Sequence, residues 1–238
     1  MSTPIRPAAI WLGALLSLGL LGLGAILGNS LQRYREYERV VNVKGLAERD
    51  VPADLVVWPI RFSAAGDSLA DVYAQLDSAA QRIVDYLHSK GLSDEEVRVD
   101  APAITDKLAQ QWGNAERVAL RFTANQTITV RSPQVDLVRA LMGDLAELGR
   151  SGIAFSGQEY PQTEYLFTRL NELKPAMVQE ATQAAREVAN KFAQDSGSQL
   201  GKIRSASQGQ FSIEPRDSST PHIKKVRVVS TVEYYLSD

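Results

Sequence analysis

The chain contains no cysteine among its 238 residues, which excludes disulfides, thiol catalysis, zinc–thiolate sites and iron–sulfur ligation. A cysteine-free chain suits an oxidising or a reducing compartment equally, so the absence assigns no location. Histidine is scarce too: only His88 and His222 occur, far apart in sequence and in neither the H-x-x-x-H nor the H-E-x-x-H spacing that places two imidazoles on one metal. Three methionines without cysteine offer no redox mechanism. Charge of one sign is also missing, with 26 basic against 28 acidic side chains and a net charge of −2, which supplies no field for gripping nucleic acid. Neither G-x-G-x-x-G nor G-x-x-x-x-G-K-[ST] occurs, so the common nucleotide-binding signatures are absent. What remains is ordinary: 44% hydrophobic and 23% charged residues, in a length that fits one domain of usual size or two small ones.

One long apolar run stands out. From Ala8 to Leu27 the sequence AAIWLGALLSLGLLGLGAIL carries no charge and is polar only at Ser17, and twenty helical residues cover roughly the 30 Å of a bilayer's hydrocarbon core. A cleaved signal normally has a shorter apolar stretch, about 7 to 15 residues, and ends in an A-x-A-like site. None follows here, although Gly28-Asn29-Ser30 would allow cleavage before Leu31. The expectation is a retained signal anchor over residues 8–28, preceded by a cytoplasmic tail at 1–7 and followed by a stalk at 29–39. Tyr34 and Tyr37 in the stalk suit the headgroup region. Lys and Arg counts on the flanks would hold the large domain in the cytoplasm, with Arg33, Arg35, Arg39 and Lys44 on its side against Arg6 on the other. The short tail has instead the form of a Sec-type n-region, which sends the following domain outward into the periplasm.

From Val40 the hydrophobic period becomes two. Val41 and Val43, then Val56, Trp58, Ile60 and Phe62, read as two strands of a hairpin, with Gly45 as a bulge in the first. Leu69, Val72, Leu76, Ala80, Ile83 and Leu87 recur at helical spacing between Ser68 and Gly91. A strand is expected over Val97–Ala103, and a polar loop over Thr105–Arg117 holds Trp112, which either packs against its own hairpin or stands exposed to anchor a partner. Val118, Leu120, Phe122, Ala124, Ile128 and Val130 give the clearest alternation, broken only by Gln126. Ser132-Pro133 caps a helix carrying Val135, Val138, Leu141, Met142, Leu145 and Leu148. Strand signals at Ile153–Phe155 and Gln162–Phe167, a long alanine-rich helix from Pro175 to Asp195 with Met177, Ala181, Ala184, Ala185, Val188 and Phe192 on one side, a strand from Leu200 to Ile213 and a last one over Val226–Leu236 complete the chain. Hairpins mixed with helical crossovers predict an α+β fold, a mixed and largely antiparallel sheet covered by helices on one face. The other face, with Thr and Arg, must meet water, a ligand or another subunit.

Four segments, VVNVKGLAERDVPADLVVWPIRF, SGIAFSG, EATQAAREVANKFAQDSGSQLGKI and VRVVSTVEYYL, together resemble the SIMPL-domain family of bacterial periplasmic and membrane-anchored proteins over about Val40 to Leu236. The resemblance implies an exported α+β domain over 40–238, sometimes described as oxidative-stress defence, with some relatives assembling into large rings. It carries no agreed catalytic residues, and an uncleaved anchor departs from the soluble periplasmic members.

No catalytic, cofactor-binding or metal residue is assigned. Asp94, Glu95 and Glu96 read as a solvated acidic turn. Ser156-Gly157 is the nearest thing to a nucleophile elbow but lacks the G-x-S-x-G form. Lys224, Lys225 and Arg227 read as a solvent-facing strand edge. The functional expectation is therefore a non-enzymatic protein held in the inner membrane, self-associating or binding another envelope component, with any stress role indirect. The alternative is a ligand-binding or enzymatic domain with a dispersed site, for example Arg121, Arg131 and Glu159 around a cleft.

Overall fold

The computed structural model describes residues 7–36, 39–110, 119–150, 152–155 and 162–237. In chain order it comprises α1 (Pro7–Glu36), β1 (Val40–Pro52), β2 (Leu55–Gly66), α2 (Leu69–Ser89), β3 (Val97–Val99), β4 (Ala103–Asp106), α3 (Lys107–Gln110), β5 (Phe122–Ser132), α4 (Val135–Arg150), β6 (Ala154–Phe155), β7 (Glu164–Leu166), α5 (Leu170–Asp195), β8 (Gln199–Gln208), β9 (Ser212–Pro215) and β10 (Ile223–Ser237). The α+β class is as expected. The single sheet is not: the described strands form a four-stranded sheet, β1-β10-β8 with β9 also on β10, and a six-stranded one built around β5 and β2. The first two strands are therefore no hairpin, since β1 pairs with β10 and β2 with β5. Only Ala53 and Asp54 separate them, and each is bonded away from the other strand, Ala53 N donating to His222 O at 2.8 Å and Asp54 N to Leu166 O at 2.9 Å.

The chain divides into two compact units. One comprises Arg49–Glu172 and Ile213–Val226. Its centre is the antiparallel β2–β5 ladder, which sets Trp58 against Val130, Ile60 against Ile128 and Ala64 against Ala124. Period-two alternation places these on one face, where α2 contributes Val72, Leu76, Ile83 and Leu87 and α4 contributes Val138, Leu141 and Leu148 to one buried core. β3 and β4 both pair with β5, so the strand expected at 97–103 is two short ones. β6 and β7 both pair with β2, as the interrupted strand signal around Pro161 implied. Gln126, the polar break in the apolar face, is buried and donates from Nε2 to Asp100 O at 2.9 Å. On the opposite face Thr127 and Thr129 are half-buried and Arg131 is exposed.

The other unit comprises Met1–Glu48, Leu173–Ser212 and Arg227–Asp238. Leu236 N bonds Arg39 O at one end of the β1–β10 pair, and Glu48 meets Arg227 at the other, so the two strands run in opposite directions. β1 is unbroken through Gly45. A Cβ there would collide with the Ala181 carbonyl oxygen and the Ala185 nitrogen, so the glycine admits α5 rather than marking an interruption. α5 begins at Leu170, with Pro175 inside it instead of at its first position. Its earlier start is fixed by Asp54, whose carboxylate accepts from the backbone N–H groups of Thr168 and Arg169 at 2.8 and 3.1 Å. The strand expected over 200–213 is divided between β8 and β9.

α1 continues the apolar run through to Glu36 as one helix. Among the described residues no helix is long and apolar enough to cross a membrane. In the expected 8–28 span, the side chains of residues 8–10, 12, 14 and 28 lie outside the described ones. Those that are described are exposed on every side of the helix, Leu18 and Leu21 at 73% each.

Candidate functional site

Alanine spacing decides where the first-formed concavity lies. Ala181, Ala185, Ala189 and Ala193 recur every four residues, all buried with Met177 along one line of α5. Side chains this small let the helix settle onto Val43 of β1 and Val232 and Tyr234 of β10. A helix about 10 Å wide covers two strands spaced ~4.8 Å apart. The third strand, β8, is left beside it with nearly every residue exposed. Between α5 and β8, wholly within this unit, runs a trough of about 900 Å³.

Its helical wall carries Gln179, Thr182, Gln183, Arg186, Glu187 and Asn190, its strand wall Gly201, Lys202 and Ile203, and Tyr234 lies at its floor. The strand wall depends on Gly201, because a Cβ there would stand 2.9 Å from Tyr235 O. Register shifts on either side of Tyr234 bend β8 at this point, as bulges at sheet edges commonly do. Glu187 accepts from Gln183 Nε2 at 3.5 Å. Arg186 and Lys202 have no acidic partner among the described residues, whereas Arg204, on the same strand, is paired with Glu233 at 3.3 Å. The trough therefore carries two cations against one carboxylate. Tyr234 is 3% exposed, and its hydroxyl is closed off from the trough and has no hydrogen-bond partner among the described residues. An orphaned buried hydroxyl costs about 1–3 kcal/mol.

The residues suggested for a dispersed site are not brought together. Arg121 precedes β5 and holds Asp106 through Nη2 at 2.7 Å and Nε at 3.1 Å. That bond keeps the Asp106 carboxyl below its ordinary range. Arg131 stands ten positions along the same strand, about 33 Å away at strand rise, and Glu159 lies outside the described residues, as do Trp112, Ser156 and Gly157. His88 Nε2 faces Asp94 at 3.1 Å. The acidic turn is tied down at one member: Glu96 accepts from Ser132 Oγ at 2.5 Å and Ser93 N at 2.9 Å, which lowers its pKa, the Ser132 bond foremost. Among the described residues no three His, Cys, Asp or Glu stand close enough to hold a metal.

The basic cluster near the end departs from expectation. Lys224 is buried at 8% exposure near the start of β10, a strand paired with both β1 and β9 rather than one at an edge. Burial lowers its pKa against the opposing effect of Glu164. Nearby His222 stands edge-on to Tyr165 at 6.1 Å, and burial, then Arg139, depresses its pKa too.

A family profile, SIMPL, described as a protein of unknown function (DUF541), matches residues 41–234. The chain belongs to the SIMPL family. No curated protein matches it. The SIMPL match takes in both walls of the trough and its floor at Tyr234. The trough residues escape sequence reading because only the apolar side of the long helix draws attention, and that side is itself corrected: Val188 and Phe192 are exposed, and Ala189 and Ala193 are buried with Met177, Ala181 and Ala185. The signal was present on the adjoining face, where Gln179, Thr182, Arg186 and Asn190 recur at spacings of three and four.

Proposed function

We propose that this SIMPL protein is a single-pass protein of the bacterial inner membrane, whose domain faces the periplasm and acts by binding, either to further copies of itself or to another envelope component, rather than by catalysis. The observation that carries the reading is α1. Leu15, Leu18, Leu21 and Ile26 are each about 70% exposed, and no face of the described stretch is covered. A helix that is apolar all round requires lipid or protein on every side. The Sec-like form of residues 1–7 supports the outward placement of the domain, and any part in stress defence would be indirect.

The test is protease accessibility in intact spheroplasts, joined to native mass determination of the detergent-solubilised protein. Digestion of the domain from outside, together with a multimer or a copurified partner, is expected. A protected domain overturns the topology, and a strict monomer without a partner overturns the mode of action. The second reading, a ligand-binding domain, is favoured by the trough between α5 and β8.

A further inference from the structure

We propose that the trough between α5 and β8 binds an extended acidic peptide segment of about five residues, a specification of the binding role proposed above. Length comes from the helix. Gln179 and Asn190 bound a polar row along α5 that spans about 16 Å at 1.5 Å per residue, the length of about five residues of extended chain at ~3.3 Å each. The row consists of side-chain amides and a hydroxyl, Gln179, Thr182, Gln183 and Asn190. Each amide presents a donor and an acceptor, the same complement as a peptide group. Successive turns of the row repeat at about 5–6 Å, close to the two-residue period of ~6.6 Å at which an extended chain presents equivalent groups.

Charge comes from two cations that have no acidic partner among the described residues. Arg186 on the helix and Lys202 on the strand face one trough from opposite walls and outnumber its one carboxylate, Glu187. A guanidinium takes a carboxylate in two parallel hydrogen bonds, and an ammonium adds a point charge. β8, which ends its sheet, forms the outer rim, and its outward backbone groups suit a main chain rather than a free anion.

The experiment uses the full chain in detergent and measures fluorescence anisotropy with three labelled pentapeptides, in which serine alternates with glutamate, glutamine or lysine. The glutamate peptide is expected to bind at least tenfold more tightly than the glutamine peptide, and the lysine peptide not at all. The double substitution Arg186→Gln with Lys202→Gln should abolish that preference. No binding, equal binding of the glutamate and glutamine peptides, or binding untouched by these substitutions overturns the inference. Dextran sulfate competing as well as unlabelled glutamate peptide would also overturn it, since that is recognition of charge alone. Spheroplast topology and native mass do not depend on the peptide, so a tethered, multimeric protein that ignores all three peptides sinks this inference and leaves the proposed function standing.

Discussion

Gly45 of β1 lies directly beneath the Ala181 carbonyl of α5, so close that no Cβ fits between them. The alanines of α5 and this single glycine act as one device: removing side-chain volume from both surfaces brings the helix down onto Val43, Val232 and Tyr234, and the trough beside β8 follows from that seating. Gly45→Ala should therefore destabilise the protein by about 3 kcal/mol, the upper part of the usual range for overpacking, because the obstacle is main chain at Ala181 and Ala185 that cannot rotate away. Urea denaturation of the two proteins checks this. A midpoint within error of the parent would mean that the helix is free to ride higher.

Ser132 joins two jobs in one hydroxyl. It donates to Glu96 at 2.5 Å and accepts from Gln134 N at 3.0 Å, so it holds the Asp94–Glu96 turn and caps the start of α4. Ser132→Ala should cost about 1–2 kcal/mol, as cap losses do. The Glu96 carboxyl is held below the ordinary glutamate value, meaning that the unfolded state binds the proton more readily than the folded one. Its contribution is complete above the unfolded pKa of about 4.3 and is lost as pH falls through the lower folded value. The parent's stability should thus decline more steeply than that of Glu96→Gln between pH 5 and 3. Parallel slopes in urea midpoints across that window would refute the assignment.

Much of this architecture is legible in the residues. The helix stripe from Leu69 to Leu87 and the Ser132-Pro133 start signal each depend on side chains within a few positions of one another, and each is found close to where the pattern puts it. The alternation read from Val118 becomes a strand only at Phe122, because Leu120 stands at positive φ. Pairing was not legible. Val41–Val43 and Val56–Phe62 look like a hairpin because they adjoin in sequence, yet β1 finds its partner nearly two hundred residues later in β10. That choice depends on long-range burial, which no local period encodes. Lys224 was misread for the same reason. Its charge suggests an exposed edge, yet it is buried in a strand paired with both β1 and β9. The candidate site was hidden differently, in a polar helix face that looks like any solvated one until β8 is set against it.

Lys224 is buried with no ion pair among the described residues, which makes the ammonium a burden. Desolvation lowers its pKa in the folded state, so between that value and the unfolded value of about 10.4 the unfolded chain binds more protons, and stability rises with pH through this window. Lys224→Met keeps the length of the stem and removes the charge. It should leave stability at pH 7 unchanged or raise it by roughly 1 kcal/mol, and it should flatten the alkaline rise seen in the parent. Thermal unfolding at pH 7 and pH 10 distinguishes the outcomes, and a variant clearly less stable at pH 7 would show that the ammonium has a partner worth more than its burial costs.

The N-terminal helix yields the prediction with the largest effect. Leu18 and Leu21 lie near the middle of the run from Ala8 to Leu27, one turn apart, where a bilayer would be driest. A lysine at the centre of a spanning helix costs about 2.5–3.5 kcal/mol on insertion scales. Leu18→Lys with Leu21→Lys should therefore weaken insertion by about 6 kcal/mol, a factor on the order of ten thousand. Alkaline extraction of membranes should retain the parent in the pellet and release the double variant. The mass of the retained parent supplies a second reading: 26.1 kDa for the whole chain marks an uncleaved anchor, while a mature chain beginning at Leu31 marks a signal removed after export. A parent that washes off membranes as readily as the variant would leave the exposed leucines of α1 to be covered by protein instead of lipid.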